Sequence, residues 1–201
     1  MTAAPSLAGF ADPVDDAQRS FRALLDALAR PGSRRRPVAP QEHPTMLPPA
    51  MAALALTLAD AATPVWLAPS LAGAAEYLRF HCGCPLSADP RGAAIALAGA
   101  AEAPPLVDLG ASDERYPETD TTLVLAVDSV TDGPVLYLEG PGIQGRGQLR
   151  CRGLPAGFVS AWQAMHARYP LGSDVFLVAG GEVVGLPRSL RISEEEACTS
   201  P

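Results

Sequence analysis

Lysine is missing from this chain, and all 15 of its Lys/Arg cations are arginines. The absence vetoes whole mechanisms. A pyridoxal phosphate enzyme needs a lysine amine for its Schiff base, and a P-loop needs one to reach the β and γ phosphates of a nucleotide. Alanine, proline, glycine and arginine are used heavily throughout, so part of the absence is compositional bias; it serves as a veto and carries no functional signal of its own. Positive charge is scarce as well: 22 acidic residues leave a net charge of -7 and a pI of about 4.9. A field of that sign opposes a phosphate backbone, so no nucleic-acid partner is expected, although a local basic patch stays open. Cysteine is also too sparse for a disulfide framework, since Cys82, Cys84, Cys151 and Cys198 are spread through a long chain. Long apolar runs are missing too. The longest, Ala50 to Leu58, falls far short of the roughly 20 residues a membrane span needs. With no charged-then-apolar leader at the start, a cytoplasmic protein with reduced thiols and no membrane contact is expected.

What is present is enough for one core. At 201 residues and 48% hydrophobic, the chain suits a single domain, expected over residues 1–192, with an acidic tail over 193–201 expected to lack fixed structure. Met1 to Ala8 reads as a loose arm. Asp12-Pro13 is a strong helix start, and Val14, Ala17, Phe21, Leu24, Leu25 and Leu28 recur at helical spacing until Pro31-Gly32, predicting a stripe that covers a sheet or meets a partner chain. Arg34-Arg35-Arg36 lies among prolines and reads as an extended, solvated connector, with an anion or subunit contact as the lesser alternative. Further helices are expected over Pro48 to Ala61, Ser70 to His81 and Pro155 to Arg168, the last with Phe158, Val159, Trp162, Met165 and Tyr169 on its apolar side. Strands are expected at Thr63 to Leu67, Ala93 to Leu97, Thr121 to Asp128, Pro134 to Glu139 (pairing with the strand before it) and Gly147 to Arg152. Pro104 to Gly110 is ambiguous, and Ala111 to Glu118 reads as a loop.

The stretch from Tyr169 to Ile192 has the marks of a central hairpin. Asp174 to Ala179 is nearly all apolar, which suits a strand buried on both faces; Gly180-Gly181 turns the chain and Val183 to Leu186 returns it. Pro187 cannot donate to a ladder, so pairing is expected to stop there, releasing Arg188 and Arg191. Two readings stand: guanidiniums gripping a phosphate or a neighbouring subunit's carboxylate, or a solvated, salt-bridged tail. Helices and strands interleave without a regular βαβ rhythm. The expected fold class is therefore α/β, a mixed sheet flanked by helices.

Two apparent motifs weaken on inspection. Gly140-Pro141-Gly142-Ile143-Gln144-Gly145 spells the dinucleotide fingerprint GxGxxG, but Gly147, Gly153 and Pro155 delay the next helix beyond reach of a pyrophosphate, so a glycine-shaped connection between strands is expected. His81-Cys82-Gly83-Cys84 crowds its donors too closely to surround one tetrahedral ion, so no metal is expected, and His81 suits a helix C-terminus. There is no nucleophile elbow, HExxH motif or carboxylate pair at diagnostic spacing.

A set of short motifs nevertheless occurs in order along the chain. They are Gly9-Phe10-Ala11-Asp12-Pro13-Val14 with Gln18, Phe21 and Arg22; Pro31-Gly32; Asp60 with Thr63-Pro64-Val65-Trp66-Leu67; Phe80-His81 with Gly83-Cys84-Pro85; Tyr116-Pro117-Glu118 with Thr121-Thr122-Leu123; Gly140-Pro141-Gly142-Ile143; and Tyr169-Pro170-Leu171-Gly172 with Asp174 and Leu186-Pro187-Arg188. In order and spacing they resemble the PhnH family of the bacterial carbon-phosphorus lyase system, over nearly the whole chain. The resemblance implies phosphonate catabolism in company with subunits G, I and J, and with K and L. The assembly with G, I and L is held to move a phosphonate onto the ribose of ATP, releasing adenine and giving α-D-ribose 1-methylphosphonate 5-triphosphate. It also implies a fold like that of pyridoxal-phosphate-dependent transferases without the cofactor, a homodimer in isolation, and an accessory role, nucleosidase and radical chemistry falling to subunits I and J. Any ligand site, for ATP or a phosphonate, is expected at Arg188, Arg191, Asp174 and His81, with Asp174 ordering one guanidinium. The competing expectation is a self-sufficient transferase or hydrolase acting on phosphorylated sugars or nucleotides.

Overall fold

The computed structural model describes residues 7–109, 115–116 and 119–194. Most of the Met1 to Ala8 arm, most of the Ala111 to Glu118 loop, and the tail beyond residue 194, with Cys198, lie outside them. Six strands form a mixed sheet in the order β1 (Arg34–Arg35), β8 (Glu182–Leu186), β7 (Val175–Ala179), β4 (Thr122–Ala126), β3 (Ile95–Gly99), β2 (Val65–Leu67). The run from β7 to β2 is parallel, while β8 and β1 are antiparallel to their neighbours. Parallel strands are covered on both faces, which is why β3, β4 and β7 read as nearly unbroken apolar runs. The hairpin expected around Gly180-Gly181 forms β7 and β8, and pairing stops before Pro187 as expected.

A second, antiparallel sheet holds β6 (Gly147–Arg150), β5 (Val135–Glu139) and β9 (Arg191–Ser193). This corrects two expectations. β5 does not pair with β4, whose edges are already taken by β3 and β7. Its own burial alternates, Leu136 and Leu138 inward and Val135, Tyr137 and Glu139 only partly covered, the mark of a strand with one wet face. Pairing also resumes at Arg191, so Ser193 belongs to a strand and not to the tail.

Helix α1 (Pro13–Ala29) starts as its sequence dictates: the Asp12 carboxylate accepts from the N–H groups of Val14 and Asp15, both at 3.0 Å, and Asp16 reciprocates by accepting from Asp12 N–H at 3.1 Å. Its buried face is rotated from the expected one. Asp16, Ser20, Leu24 and Ala27 face inward, whereas Val14, Phe21 and Leu25 are 82%, 49% and 57% exposed. Ser20 tolerates burial because its hydroxyl accepts from Val38 N–H at 3.0 Å, and Asp16 because it caps the helix. Beneath α1 the sheet carries Gly185, where a Cβ would stand 2.7 Å from the backbone of Ala27. Helix α2 (Pro49–Leu58) packs beside α1 and is buried from Ala50 to Ala55. Helix α3 (Ala75–Cys82), preceded by a 3-10 turn from Pro69 to Ala74, ends at Gly83 in the left-handed conformation. Short α4 (Leu106–Leu109) lies against α5 (Phe158–His166), which also packs on β9. Phe158, Val159, Trp162 and Met165 are buried as expected, but Tyr169 is 59% exposed.

The arginine run is no free connector. Arg34 and Arg36 both pair with Glu182 at the turn into β8, and Arg35 pairs with Asp26 of α1. Among the described residues no helix is long and apolar enough to cross a membrane.

Candidate functional site

The link between the two sheets, Pro187 to Leu190, is held in place by one face of α5. His166 follows Trp162 by four residues and Gln163 by three, so it borders both on the helix surface. Trp162 Nε1–H donates to the carbonyl of Leu190 at 2.8 Å, Gln163 Nε2–H to that of Ile192 at 3.0 Å, and His166 Nδ1 approaches that of Arg188 at 3.1 Å. A carbonyl only accepts, so His166 carries its proton on Nδ1 there and keeps Nε2 for another partner. Alternate carbonyls of residues 188–192 therefore point at the helix, and Ser189 and Arg191 are left to face elsewhere.

Arg188 anchors the start of this link from behind. Its guanidinium reaches Asp174 at 3.1 Å and Asp120 at 3.7 Å, and its backbone N–H donates to Asp174 at 2.8 Å. The Asp120 side chain is 0% exposed and also accepts from Gly172 N–H at 2.8 Å. One arginine thus ties together the segments before β4, before β7 and after β8. The guanidinium is already committed to these two carboxylates, which makes the cluster a poor place for an anion.

The open side is different. A cavity of about 370 Å³ is lined by Glu139, Gly140, Pro141, His166, Tyr169, Ser189 and Arg191. A second, of about 240 Å³, is lined by Trp162, Gln163, His166, Arg191 and Ile192. His166 and Arg191 belong to both, so they stand on the wall the two share. Arg191 is exposed and makes no ion pair among the described residues. Glu139 is 3.3 Å from Arg146, whose guanidinium also lies 4.2 Å from the centre of the Tyr137 ring. The glycines of the false fingerprint shape the loop between β5 and β6 at the cavity rim. Gly142, at φ +84°, packs so closely on the end of α1 that a Cβ would lie 2.2 Å from the Ala29 carbonyl oxygen.

Of the four residues expected at a site, the structure joins Arg188 to Asp174, places Arg191 at the cavity and leaves His81 elsewhere. His81 ends α3, where its Nε2–H meets the carbonyl of Leu7 at 2.8 Å and its ring packs on Tyr77 and Phe80. A Cβ on Gly9 would stand 2.9 Å from that ring, so His81 serves to clasp the N-terminal arm. His166 and Asp120 escaped the sequence reading. The signal for His166 was available, since it follows Trp162 by four residues and must share its face; Asp120 carries no such signal, being set by tertiary packing alone. Cys82 and Cys84 lie apart from any metal cluster among the described residues. Burial pushes the Cys82 thiol up to about 12 and Cys151 to about 11, and it raises Cys84 as well.

Comparison with known proteins settles the family. The model of the bacterial phosphonate metabolism protein family, PhnH, matches residues 8–193. The chain belongs to the PhnH family. A PhnH relative from Rhizobium meliloti (strain 1021), named as a subunit of alpha-D-ribose 1-methylphosphonate 5-triphosphate synthase, is 37% identical over 191 residues, covering 92% of this chain and 94% of its own length. HtxG of Stutzerimonas stutzeri, which bears the name of a putative C-P lyase subunit, is 40% identical over 77 residues, 38% of this chain and 40% of its own length. The PhnH motifs frame the site: Gly140-Pro141-Gly142 forms the cavity rim, Tyr169 its wall, and Asp174 with Arg188 the anchor behind it.

Proposed function

We propose that this chain is the PhnH component of an α-D-ribose 1-methylphosphonate 5-triphosphate synthase within the carbon-phosphorus lyase system, acting with subunits G, I and L and in contact with J and K. Alignment with a named PhnH relative over 92% of the chain carries this reading. Its role is accessory. Its fold resembles that of the pyridoxal-phosphate-dependent transferases without the cofactor; the absence of lysine agrees with the missing cofactor, and adding pyridoxal phosphate should then produce no Schiff-base absorption band. The protein acts in the cytoplasm and is a homodimer when isolated.

Helix α1 is the docking element for another subunit. Its outer face sets Val14, Phe21 and Leu25 in the open at i, i+7 and i+11, an unpartnered apolar stripe of the kind that buries against a second protein. The test is co-purification with tagged G, I and J, comparing wild type with the double variant Phe21→Ser, Leu25→Ser. The variant should fold normally, because both side chains are exposed, yet lose the complex. Retention of the complex by a folded variant removes α1 from the interface. Turnover of ATP and methylphosphonate by the isolated chain overturns the accessory role and favours a self-sufficient enzyme.

A further inference from the structure

The cavity between α5 and the small sheet has the chemistry of a ligand site. At about 370 Å³ it exceeds what a bare oxyanion fills and falls inside the range of small-molecule sites, roughly 300–1,000 Å³. Its wall carries the exposed Arg191 guanidinium, with no ion pair of its own among the described residues, beside His166, whose Nε2 is left over from the bond to the Arg188 carbonyl. In a chain of net charge -7 such a cationic corner is a local exception. Glu139, the one carboxylate among the described wall residues, has Arg146 at 3.3 Å to offset it. Ser189 adds a hydroxyl and Tyr169, 59% exposed, adds a phenol and a ring face.

We propose that this cavity binds a phosphorylated sugar, with the phosphoryl oxygens on Arg191 and Ser189 and the hydroxylated ring against Tyr169, His166 and Glu139. A guanidinium forks onto two oxygens of one phosphoryl group, and a serine hydroxyl supplies a third donor. Glu139 is an acceptor, and so is His166 Nε2 once Nδ1 holds the proton; both are useless to an oxyanion and suited to sugar hydroxyls. Among the described residues the two neighbouring openings share His166 and Arg191, so their common wall carries the cation and, beside it, an acceptor for a hydroxyl. Arg188, Asp174 and Asp120 are positioning residues, holding the link that presents Arg191 without touching the ligand.

The choice of pentose rests on the synthase reading above, but the test does not depend on assembly. Ribose 5-phosphate, inorganic phosphate and methylphosphonate are titrated into the purified chain by calorimetry. Saturable binding of ribose 5-phosphate, at least tenfold tighter than either small anion, is the expected result. Arg191→Gln should weaken it roughly tenfold or more, the loss of a charge-assisted contact, while Arg34→Gln on β1, which removes the same charge outside both cavities, should not. Arg191 is exposed, so a circular dichroism spectrum matching wild type is expected of the variant. No binding in the millimolar range, equal affinity for all three probes, or equal losses in the two arginine variants each overturns the proposal. Failure of co-purification would leave these titrations unaffected, so the two readings fall separately.

Discussion

At the scale of single residues, Arg188 is open in the sequence to two readings, a ligand contact or a salt-bridged end, with Asp174 ordering a guanidinium. The structure gives it two carboxylates, Asp174 and Asp120, the second wholly buried. Removing the cation takes a counter-charge from the buried Asp120, and breaking such a pair is strongly destabilising. Arg188→Met is therefore expected to lower stability by about 3 kcal/mol, read from urea denaturation, with Arg188→Lys recovering part of the loss. An unchanged urea midpoint for Arg188→Met would show that the cluster holds nothing together. The contact between Asp174 and Arg188 was legible because both flank one hairpin whose register the strands fix. Asp120 was not, because it comes from the segment before β4, at a sequence distance no local pattern spans.

Among the elements, those decided by a local pattern were legible, and those whose pattern admits two solutions were not. Asp12-Pro13 set the start of α1, and the glycine pair set the turn between β7 and β8, because caps and turns are decided within a few residues. The buried face of α1 departs from its apolar stripe because Asp16 is satisfied by the helix cap and Ser20 by Val38 N–H, so both can be covered, freeing the stripe for the outside. β5 was assigned to the wrong sheet, although its alternation already separated it from the continuous runs of β3, β4 and β7. Close approach of α1 to the main sheet depends on Gly185. Gly185→Ala would set a methyl group 2.7 Å from the Ala27 backbone, so the helix must move, at a cost of about 2 kcal/mol. Gly181→Ala, with nothing within 4 Å, is the matched control, and equal thermal midpoints for the two would refute the packing account.

For the molecule as a whole, the buried thiols and one phenol set the behaviour at high pH. Cys82 and Cys151 are raised from 9.0 to about 12 and about 11, and Tyr77 from 10.0 to about 12, chiefly by burial. A folded-state value above the unfolded one means that this contribution is complete below the unfolded value and is lost as pH climbs toward the folded one. Stability should thus hold up to about pH 9 and then decline through pH 11 to 12, with the urea midpoint falling at each step. A midpoint flat across that range would contradict the burial of these groups. The margins of the main sheet carry a different consequence. One is closed by a two-residue strand of arginines tied to Glu182 and Asp26, the other by the three residues of β2, where Val65 bridges to Leu86. Neither offers a row of vacant main-chain donors to an incoming chain, so growth of the sheet by strand addition is blocked at both ends. A companion protein that binds at these two margins must therefore do so through side chains and not by extending the main sheet.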